Sequence, residues 1–411
     1  MFQKAMGIFV FLALATLNLF WEVNVCRAEI TWEQINTGNN EINMRSLSVF
    51  TKNPDYVCAA SPKQLYFSST SGQQWESIFS LQGRDEEINF VVFDAANPKI
   101  IYMATTAGLL ISSEQGKQWT KALQKVNDAD NDVQWIVQDE HNEKKIYAGT
   151  QENLYQSEDS GAKWKKVNSG LPQSKVRTAA FHPANSQVVY LANDMGLFKS
   201  IDNSSSWKRI YVTSYKLEGE GEEGETLSEE GQDLINSIAV NKSNPKEIFI
   251  ATANGVYRSE DAGEVWERLS TQGLTCGYIN CIVISRQGIL YAATQKGVFR
   301  FTSSLNSWDR LYQGMTALNV HSLALSNQSN YLFAATDKGI YRTLIINEAL
   351  SLPKNAAQSD AGCCNLLLKT EGEINKTEER DVEEILKQIA LNEPTIQQIQ
   401  EAALKYGEVI H

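Results

Sequence analysis

Short runs of alternating apolar and polar residues recur along most of the chain, and turn residues separate them. The stretches that begin at Val91, Ile238 and Leu323 share one order: an alternating run, an Asn-containing turn, a second run that ends in Ala-Thr, a Gly turn and a third run. Alternation with a period of two indicates half-buried strands, and Asn, Pro and Gly between the runs indicate tight turns. Each stretch therefore predicts three successive antiparallel strands.

A second pattern, Ser-x-Asp-x-Gly-x-x-Trp, follows the third strand of these units, and its tryptophan begins a fourth strand. We call this pattern the box. Two copies are complete, three are nearly complete, and a more divergent one ends at Trp308. The residues of the five clearer copies are Ser157, Asp159, Gly161 and Trp164; Ser259, Asp261, Gly263 and Trp266; Ser112, Glu114, Gly116 and Trp119; Ser200, Asp202 and Trp207; Ser68, Gly72 and Trp75. Four short strands in a unit of roughly 40–45 residues predict one blade of a β-propeller.

The spacing of the tryptophans gives the number of blades. Seven of them recur at intervals of 42–45 residues, apart from an interval of 59 between Trp207 and Trp266. One three-strand unit, from His321 to Arg342, follows the last tryptophan, and an isolated fourth strand, residues 30–36, precedes the first unit. We therefore predict an all-β, seven-bladed propeller over residues 29–345, in which the N-terminal strand completes the last blade and closes the ring.

The residue types of the box fit a structural role. The Asp carboxylate can accept backbone N–H groups, the Ser hydroxyl can cap the turn, Gly tolerates a positive φ, and Trp can pack between blades. Catalytic sites are rarely copied several times around a ring. We therefore interpret the box residues as turn-stabilising and expect no catalytic residue among them.

The boxes resemble the Asp-box (BNR) repeats of sialidases, sortilin-type receptors and some endoglucanases. The full unit and the count of seven blades are most similar to propellers of the photosystem II stability and assembly factor type. This resemblance covers roughly residues 30–345. It implies an exported, non-enzymatic assembly factor, although unrelated activities share the same box.

Composition narrows the classes of function. The 411 residues contain 37 Lys and Arg against 49 Asp and Glu, which gives a net charge of −12. Nucleic acid and anionic membrane surfaces attract clustered cations, so we expect neither as the main partner. With four His and six Cys, the sequence predicts no metal site and no cofactor.

The N-terminus has the pattern of a signal peptide. Lys4 precedes an apolar run from Met6 to Phe20, and small residues at Cys26 and Ala28 fit cleavage after residue 28. A retained membrane anchor and a lipidated Cys26 are the alternatives. We expect an exported protein, periplasmic or extracellular, with residues 1–28 as signal peptide and no membrane span in the mature chain.

Two carboxylates are the best catalytic candidates by position. Asp94 and Asp139 follow the first strands of successive units, and His182 occupies the same position in the next. A glycosidase needs two carboxylates across a cleft. Because Asp94, Asp139 and His182 occupy the same position in successive units, we interpret them as turn residues instead. The arginines that recur on third strands also favour a scaffold role: Arg258, Arg300 and Arg342.

The longer interval after Trp207 predicts an acidic loop insertion over residues 214–233. It connects the fourth strand of one blade to the first strand of the next, as do the shorter acidic segments 85–87 and 128–132. We consider it a docking surface for a basic partner, a weak calcium site or a solvated loop. Its acidic residues are Glu218, Glu220, Glu222, Glu223, Glu225, Glu229, Glu230 and Asp233.

The cysteines leave the redox state open. Cys276 and Cys281 flank a four-residue segment, and an exported chain can oxidise such a pair to a disulfide. Cys58 lies in an apolar strand and is expected to be a buried thiol, whereas residues 363–364 are adjacent cysteines in a polar segment.

The composition changes after the propeller. Residues 346–376 are expected to be a linker, and residues 377–411 show two apolar stripes at helical spacing, which predict a short α-helical tail. We therefore expect a non-enzymatic scaffold that binds a protein partner in the cell envelope through its acidic loop face and its C-terminal helices. A carbohydrate-binding or glycoside-hydrolase-type propeller is the alternative.

Overall fold

The computed structural model describes residues 30–38, 43–123, 131–212, 233–326 and 330–345, all within the compact unit Glu29–Ala349. These residues form seven four-stranded antiparallel sheets, as the sequence predicts. The expected signal peptide, most of the acidic insertion, the linker, the helical tail and the cysteines at 363–364 lie outside the described residues.

In each of the first three blades, the four strands follow one another along the chain. Blade 1 contains β2 (Ser46–Val49), β3 (Val57–Ala60), β4 (Gln64–Ser68) and β5 (Glu76–Ser80). Blade 2 contains β6 (Ile88–Phe93), β7 (Ile101–Thr105), β8 (Gly108–Ser112) and β9 (Thr120–Leu123). Blade 3 contains β10 (Val133–Gln138), β11 (Ile146–Thr150), β12 (Leu154–Ser157) and β13 (Lys165–Lys166).

The next three blades repeat this order. Blade 4 contains β14 (Val176–His182), β15 (Asn185–Asn193), β16 (Gly196–Ser200) and β17 (Lys208–Tyr211). Blade 5 contains β18 (Ile235–Val240), β19 (Ile248–Thr252), β20 (Gly255–Ser259) and β21 (Glu267–Arg268). Blade 6 contains β22 (Ile279–Ile284), β23 (Leu290–Thr294), β24 (Gly297–Thr302) and β25 (Ser307–Leu311).

Blade 7 joins the two ends of the propeller. It contains β26 (Val320–Ser326), β27 (Tyr331–Thr336), β28 (Gly339–Leu344) and, as its outer strand, β1 (Glu33–Ile35). The register pairs Glu33 with Arg342 and Ile35 with Ile340. The predicted closure of the ring by the N-terminal strand is therefore confirmed.

The core lies between neighbouring blades. The first strands of successive blades contact one another around the whole ring, so they surround the central axis. The second strands β7, β11, β19 and β23 are buried at every position, because each sheet is packed between two others. Apolar clusters combine residues of two adjacent blades, as where Tyr102 and Ala104 of blade 2 meet Val133 and Ile136 of blade 3.

The propeller has two faces. The box face contains the boxes and the turns between first and second strands. The connection face contains the turns between second and third strands and the connections between blades, of which residues 81–87, 167–175, 269–278 and 312–319 are fully described. No helix in the described part of the chain is long and apolar enough to cross a membrane.

Candidate functional site: the boxes and the ring around the axis

The box of blade 5 shows how this motif is held. Ser259 Oγ accepts a hydrogen bond from the buried Gly263 N–H at 2.8 Å. Asp261 Oδ1 accepts bonds from Val265 N at 2.9 Å, Glu264 N at 3.0 Å and Ser259 Oγ at 2.8 Å. These bonds hold the pKa of the Asp261 carboxyl below its ordinary value. The carboxylate is therefore occupied within its own turn.

The other boxes repeat this arrangement. In each, the serine hydroxyl accepts the backbone N–H four residues on, at 2.8–2.9 Å: Ser68, Ser112, Ser157 and Ser200. Hydrogen bonds also lower the pKa of two box carboxyls, Asp159 (chiefly from Lys163 N–H) and Asp202 (to about 2, chiefly from the Ser206 hydroxyl). Glu114 is exposed.

The box tryptophans are held by a hydrogen bond from the indole N–H and by packing of the ring. Their indole N–H groups donate to the carbonyl of the box glycine in four copies, at 2.9–3.2 Å: Trp75, Trp119, Trp164 and Trp266. Their rings pack against the apolar cluster shared with the preceding blade, as Trp164 does beside Tyr102. In blade 4, the buried indole N–H of Trp207 has no partner among the described residues.

Each box also contacts the blade before it. The residue four positions before each box tryptophan has a positive φ. In three boxes the carbonyl of this residue contacts a side chain of the preceding blade. Lys199 Nζ donates to Ala262 O at 2.9 Å, and Tyr102 OH lies 3.4 Å from Ser160 O. Arg342 donates in the same way to the carbonyl of Ser71. The boxes therefore hold the ring together as well as their own turns.

The catalytic candidates lie at turns of the box face. Asp94 is buried and accepts the N–H groups two and three residues on, the Tyr102 hydroxyl at 3.1 Å and the Gln138 amide at 2.6 Å. Asp139 accepts the backbone N–H two residues on at 2.9 Å, and His182 Nδ1 accepts an equivalent N–H at 3.1 Å. All three side chains thus bind the turns in which they stand.

The recurrent third-strand arginines are paired with carboxylates of their own blades. Arg258 lies 2.5 Å from Glu247 and Arg300 lies 3.4 Å from Asp309. Arg342 Nη2 lies 2.8 Å from Glu33 Oε2. These arginines do not form a cluster that could receive a substrate carboxylate.

A different set of residues surrounds the axis at the connection face. The pairing of first and second strands shifts by one residue near the start of six first strands, and the bulged residue is polar each time. Arg45, just before β2, occupies the same place in blade 1. All seven side chains are half-buried, and we call them the axial ring: Arg45, Asn89, Gln134, Arg177, Asn236, Asn280 and His321.

Three members of the axial ring bind the next blade directly. The side-chain amides of Asn89, Asn236 and Asn280 donate to the backbone carbonyl of the first residue of the following first strand. The distances are 2.8, 2.9 and 2.7 Å. These bonds link blades 2 to 3, 5 to 6 and 6 to 7. The sequence pattern did not lead us to predict them, although Ile-Asn begins each of these three strands and is a signal for the bonds.

The charged members of the ring have acidic neighbours. Arg45 Nη1 lies 2.6 Å from Glu87 Oε2, and Arg177 Nε lies 2.5 Å from Asp194 Oδ1. His321 Nε2 is buried without a hydrogen-bond partner among the described residues. Burial lowers its pKa, although the nearby Asp337 acts in the opposite direction.

The ring differs from a metal site or a catalytic pair. In the part of the chain that the structure describes, no group of three or more His, Cys, Asp or Glu side chains could hold a metal ion. Three carboxylates beside the ring bind cations or amides, those of Glu87, Asp194 and Asp132. Asp132, for example, accepts the amides of Asn89 and Gln134 through Oδ1 and that of Gln151 through Oδ2.

The prediction of an exposed acidic loop is wrong for Asp233, which is the described end of the insertion. Asp233 is 2% exposed and accepts a hydrogen bond from Tyr211 OH at 2.7 Å, so it does not belong to an exposed acidic surface. It precedes β18 closely, and the start of that strand is packed against blade 4. The seven glutamates from Glu218 to Glu230 lie outside the described residues.

Cys276 and Cys281 are both free thiols in the structure, and no disulfide joins them. Cys281 packs against the cluster shared by blades 6 and 7, and burial raises the pKa of its thiol. Cys276 instead lies on the connection to blade 6, where its Sγ faces Tyr278 O at 3.8 Å. Cys58 is buried and free, as expected.

Comparison with known proteins supports the same architecture. Residues 152–347 match the family model for sortilin, neurotensin receptor 3 (Sortilin-Vps10). No curated protein matches the sequence. The expected resemblance to Asp-box propellers is confirmed by this match and by the solved structures that share the fold.

Two kinds of solved structure differ in how much of their length is matched. The GH74 enzyme of Niastella koreensis is 17% identical with a TM-score of 0.52, over 71% of this chain and 50% of that one. YCF48 from Cyanidioschyzon merolae is 13% identical with a TM-score of 0.55, over 76% of this chain and 98% of that one. YCF48 bound to D1 peptide is matched over 96% of its length at 12% identity, with a TM-score of 0.56. The chain thus spans about half of the GH74 enzyme but nearly all of YCF48.

Proposed function

We propose that the protein is an exported, non-enzymatic scaffold whose connection face binds a protein partner and assists the assembly or stability of an envelope complex. The observation that carries the proposal is the axial ring. Its asparagine amides are used between blades, but Arg45 and Arg177 each use one guanidinium N in an ion pair within the described residues, which leaves their other N–H groups for a ligand, and His321 Nε2 has no partner there. Such groups can hydrogen-bond peptide carbonyls and carboxylates.

The arrangement of the carboxylates also favours a binding function. General acid–base catalysis by a glycosidase requires two carboxyl groups that face one substrate. Asp94 and Asp139 instead accept hydrogen bonds from backbone groups of their own turns, and Asp261 accepts them within its box. These side chains are engaged in stabilising the fold, which favours a binding role over hydrolysis.

The comparisons supply supporting context. YCF48, which was solved with a D1 peptide, is matched over nearly its whole length, so a propeller of this size can bind a peptide. Export rests on the N-terminal pattern around Lys4 and Ala28. A carbohydrate-binding or glycoside-hydrolase function is the second candidate, because GH74 enzymes share the fold over half of their length.

Site-specific photo-crosslinking in cells tests the proposal. A photoreactive residue replaces Tyr278 on the connection face or, as the matched control, Val265 on the box face; both residues are exposed. We expect one protein adduct in the envelope fraction from position 278 and none from position 265. Absence of any adduct from both positions contradicts the proposal.

A second assay addresses the alternative. The purified protein is screened on a glycan array and against glycoside substrates. Turnover that is lost in Asp94→Asn or Asp139→Asn, with the fold retained, would establish the hydrolase function in place of the scaffold.

A further inference from the structure

Blades 5 to 7 differ from the rest of this acidic chain on the connection face. Four exposed cations stand there, and none forms an ion pair within the described residues: Arg268, Lys296, Arg310 and Lys338. The connections 269–278 and 312–319 and the turns 253–254, 295–296 and 337–338 contain one carboxylate, that of Asp337. The described part of this sector therefore has four cations against one carboxylate and is positively charged, in contrast to the acidic segment 85–87 of the same face.

Exposed apolar side chains occupy the same sector. Tyr278, Tyr312 and Leu318 are 39%, 61% and 50% exposed, and they lie on the two connections that lead into blades 6 and 7. We call these three residues and the four cations the basic–apolar patch. Large exposed apolar side chains grouped on one face often mark an interaction site.

Contacts place the two kinds of residue side by side. Arg268 donates to the carbonyl of Asn254, and the backbone of Asn254 lies against Gly277, next to Tyr278. Lys338 Nζ donates to Thr316 O at 3.3 Å, within the connection that contains Tyr312 and Leu318.

The third cation lies close to the same connection. Arg310 precedes Tyr312 by two residues and lies over Gly297, next to Lys296. Charge and apolar surface are thus interleaved across three blades.

The connections that hold the patch are ordered. Gly273 and Gly314 have φ of 82° and 76°, and each packs directly against the backbone of a fourth-strand tryptophan, Trp308 and Trp32. Leu274 and Met315, which follow these glycines, pack into the apolar clusters. Because the backbone is already fixed, little conformational entropy is lost when a ligand contacts the outward-facing residues.

We propose that the basic–apolar patch binds a peptide segment of the partner in which carboxylates alternate with apolar side chains. This inference rests on the proposed function and specifies the chemistry of its partner. Charge complementarity selects an acidic segment, and the exposed tyrosines and leucine select an apolar one.

Fluorescence anisotropy with three labelled peptides of equal length tests this inference on the full chain. One peptide alternates Glu with Leu and Phe, one alternates Glu with Ser, and one alternates Lys with Leu and Phe. We expect only the first to bind, with an affinity that falls as salt is added. Preference for the lysine peptide, or equal binding of the Glu–Ser peptide, overturns the proposal.

Two double variants map the site. Arg268→Gln with Arg310→Gln removes charge, and Tyr312→Ser with Leu318→Ser removes apolar surface. Since all four side chains are exposed, we expect both variants to fold and to bind the first peptide roughly tenfold more weakly. Unchanged affinity in either variant overturns the proposal.

The box face provides matched controls. Ile201→Ser with Val265→Ser removes side chains that are 66% and 68% exposed, and Lys117→Gln with Lys163→Gln removes exposed cations. We expect wild-type affinity from both. An equal loss of affinity in the control variants shows non-specific adsorption and contradicts the patch.

Other occupants of the patch give distinct results. Binding of an acidic polysaccharide or anionic vesicles without binding of the Glu–Leu–Phe peptide would overturn the proposal, as would a self-association that the Tyr312 and Leu318 substitutions abolish. A connection-face crosslink that survives these substitutions would overturn the patch and leave the proposed function standing. Absence of any crosslink would instead contradict the proposed function.

Discussion

Glu33 and Arg342 stand opposite each other in the last blade, although 309 positions separate them along the sequence. Arg342 Nε donates to Glu33 Oε2 at 2.9 Å, and another guanidinium N–H donates to the Ser71 carbonyl in the box of blade 1. One buried arginine thus connects the first and the last strand of the described residues with the neighbouring blade.

Closure of the ring gives the first prediction. Deletion of residues 30–36 removes β1 and exposes an unpaired edge of β28. We expect loss of the cooperative unfolding transition or aggregation, measured by thermal unfolding and size-exclusion chromatography. The double variant Glu33→Gln with Gln34→Ala keeps the backbone pairing and serves as control. A monomeric deletion variant with the wild-type melting curve would contradict this role of β1.

The boxes give a ranking of two variants. Ser259→Ala leaves the buried Gly263 N–H without its acceptor, which should reduce the free energy of unfolding by roughly 1–3 kcal/mol. Asp261→Ala removes an acceptor from N–H groups that are exposed, and water can replace it. We therefore expect a smaller effect for Asp261→Ala. Denaturant titration measures both, and the reverse order would show that the carboxylate is the main stabilising group.

The glycine of the box should resist replacement. Gly263 has φ of 97°, and a Cβ there would lie 2.5 Å from Ile210 Cδ1 of blade 4. Gly263→Ala should therefore cost about 1–2 kcal/mol. Adding Ile210→Val relieves the contact but leaves the backbone strain, so recovery should be partial. Full recovery would show that the φ angle costs nothing at this position.

The asparagines of the axial ring should stabilise the contact between blades. Asn280→Ala removes the donor to Val320 O and should lower the free energy of unfolding by about 1 kcal/mol. Asn280→Asp is nearly isosteric but places a carboxylate against a carbonyl oxygen, so we expect a larger loss at neutral pH. Chemical denaturation compares the two variants. Equal stability of both and of the wild type would exclude the bond from the interface.

Acid should destabilise the propeller through the box of blade 4. Hydrogen bonds from Ser206 and Ser200 lower the pKa of Asp202 to about 2, from an ordinary value of 3.8. The carboxylate therefore contributes stability above about pH 4, and this contribution is lost as the pH falls toward 2. In Asp202→Asn, the loss of stability over that window should be smaller. An identical pH profile for the variant would contradict the assignment.

The repeat made most of the fold predictable. Seven tryptophans at nearly constant spacing specify the number of blades, and the isolated strand that ends near Ile35 specifies how the ring closes. Both follow from local alternation and turn residues, which do not depend on distant parts of the chain.

The axial ring was harder to predict because it depends on a shift of register. A bulge places an extra residue on one strand, and a regular alternation gives no signal for it. The burial of Asp233 was missed for a related reason, since an acidic residue that ends a run of glutamates gives no indication of its contact with Tyr211. The basic–apolar patch combines residues such as Arg268 and Lys338 from separate blades, which are adjacent only in the folded ring.

During synthesis of the chain, the four strands of blade 7 do not appear one after another. Blades 1 to 6 each contain four consecutive strands, so each can pair as soon as it leaves the ribosome. The strand β1 precedes all other described strands but pairs with β28, the last of them, and it stays without that partner until β28 has been made. The sheet of blade 7 can therefore form only after all seven blades have been synthesised. A chain truncated before Arg342 keeps an unpaired sheet edge, which exposes it to aggregation and proteolysis.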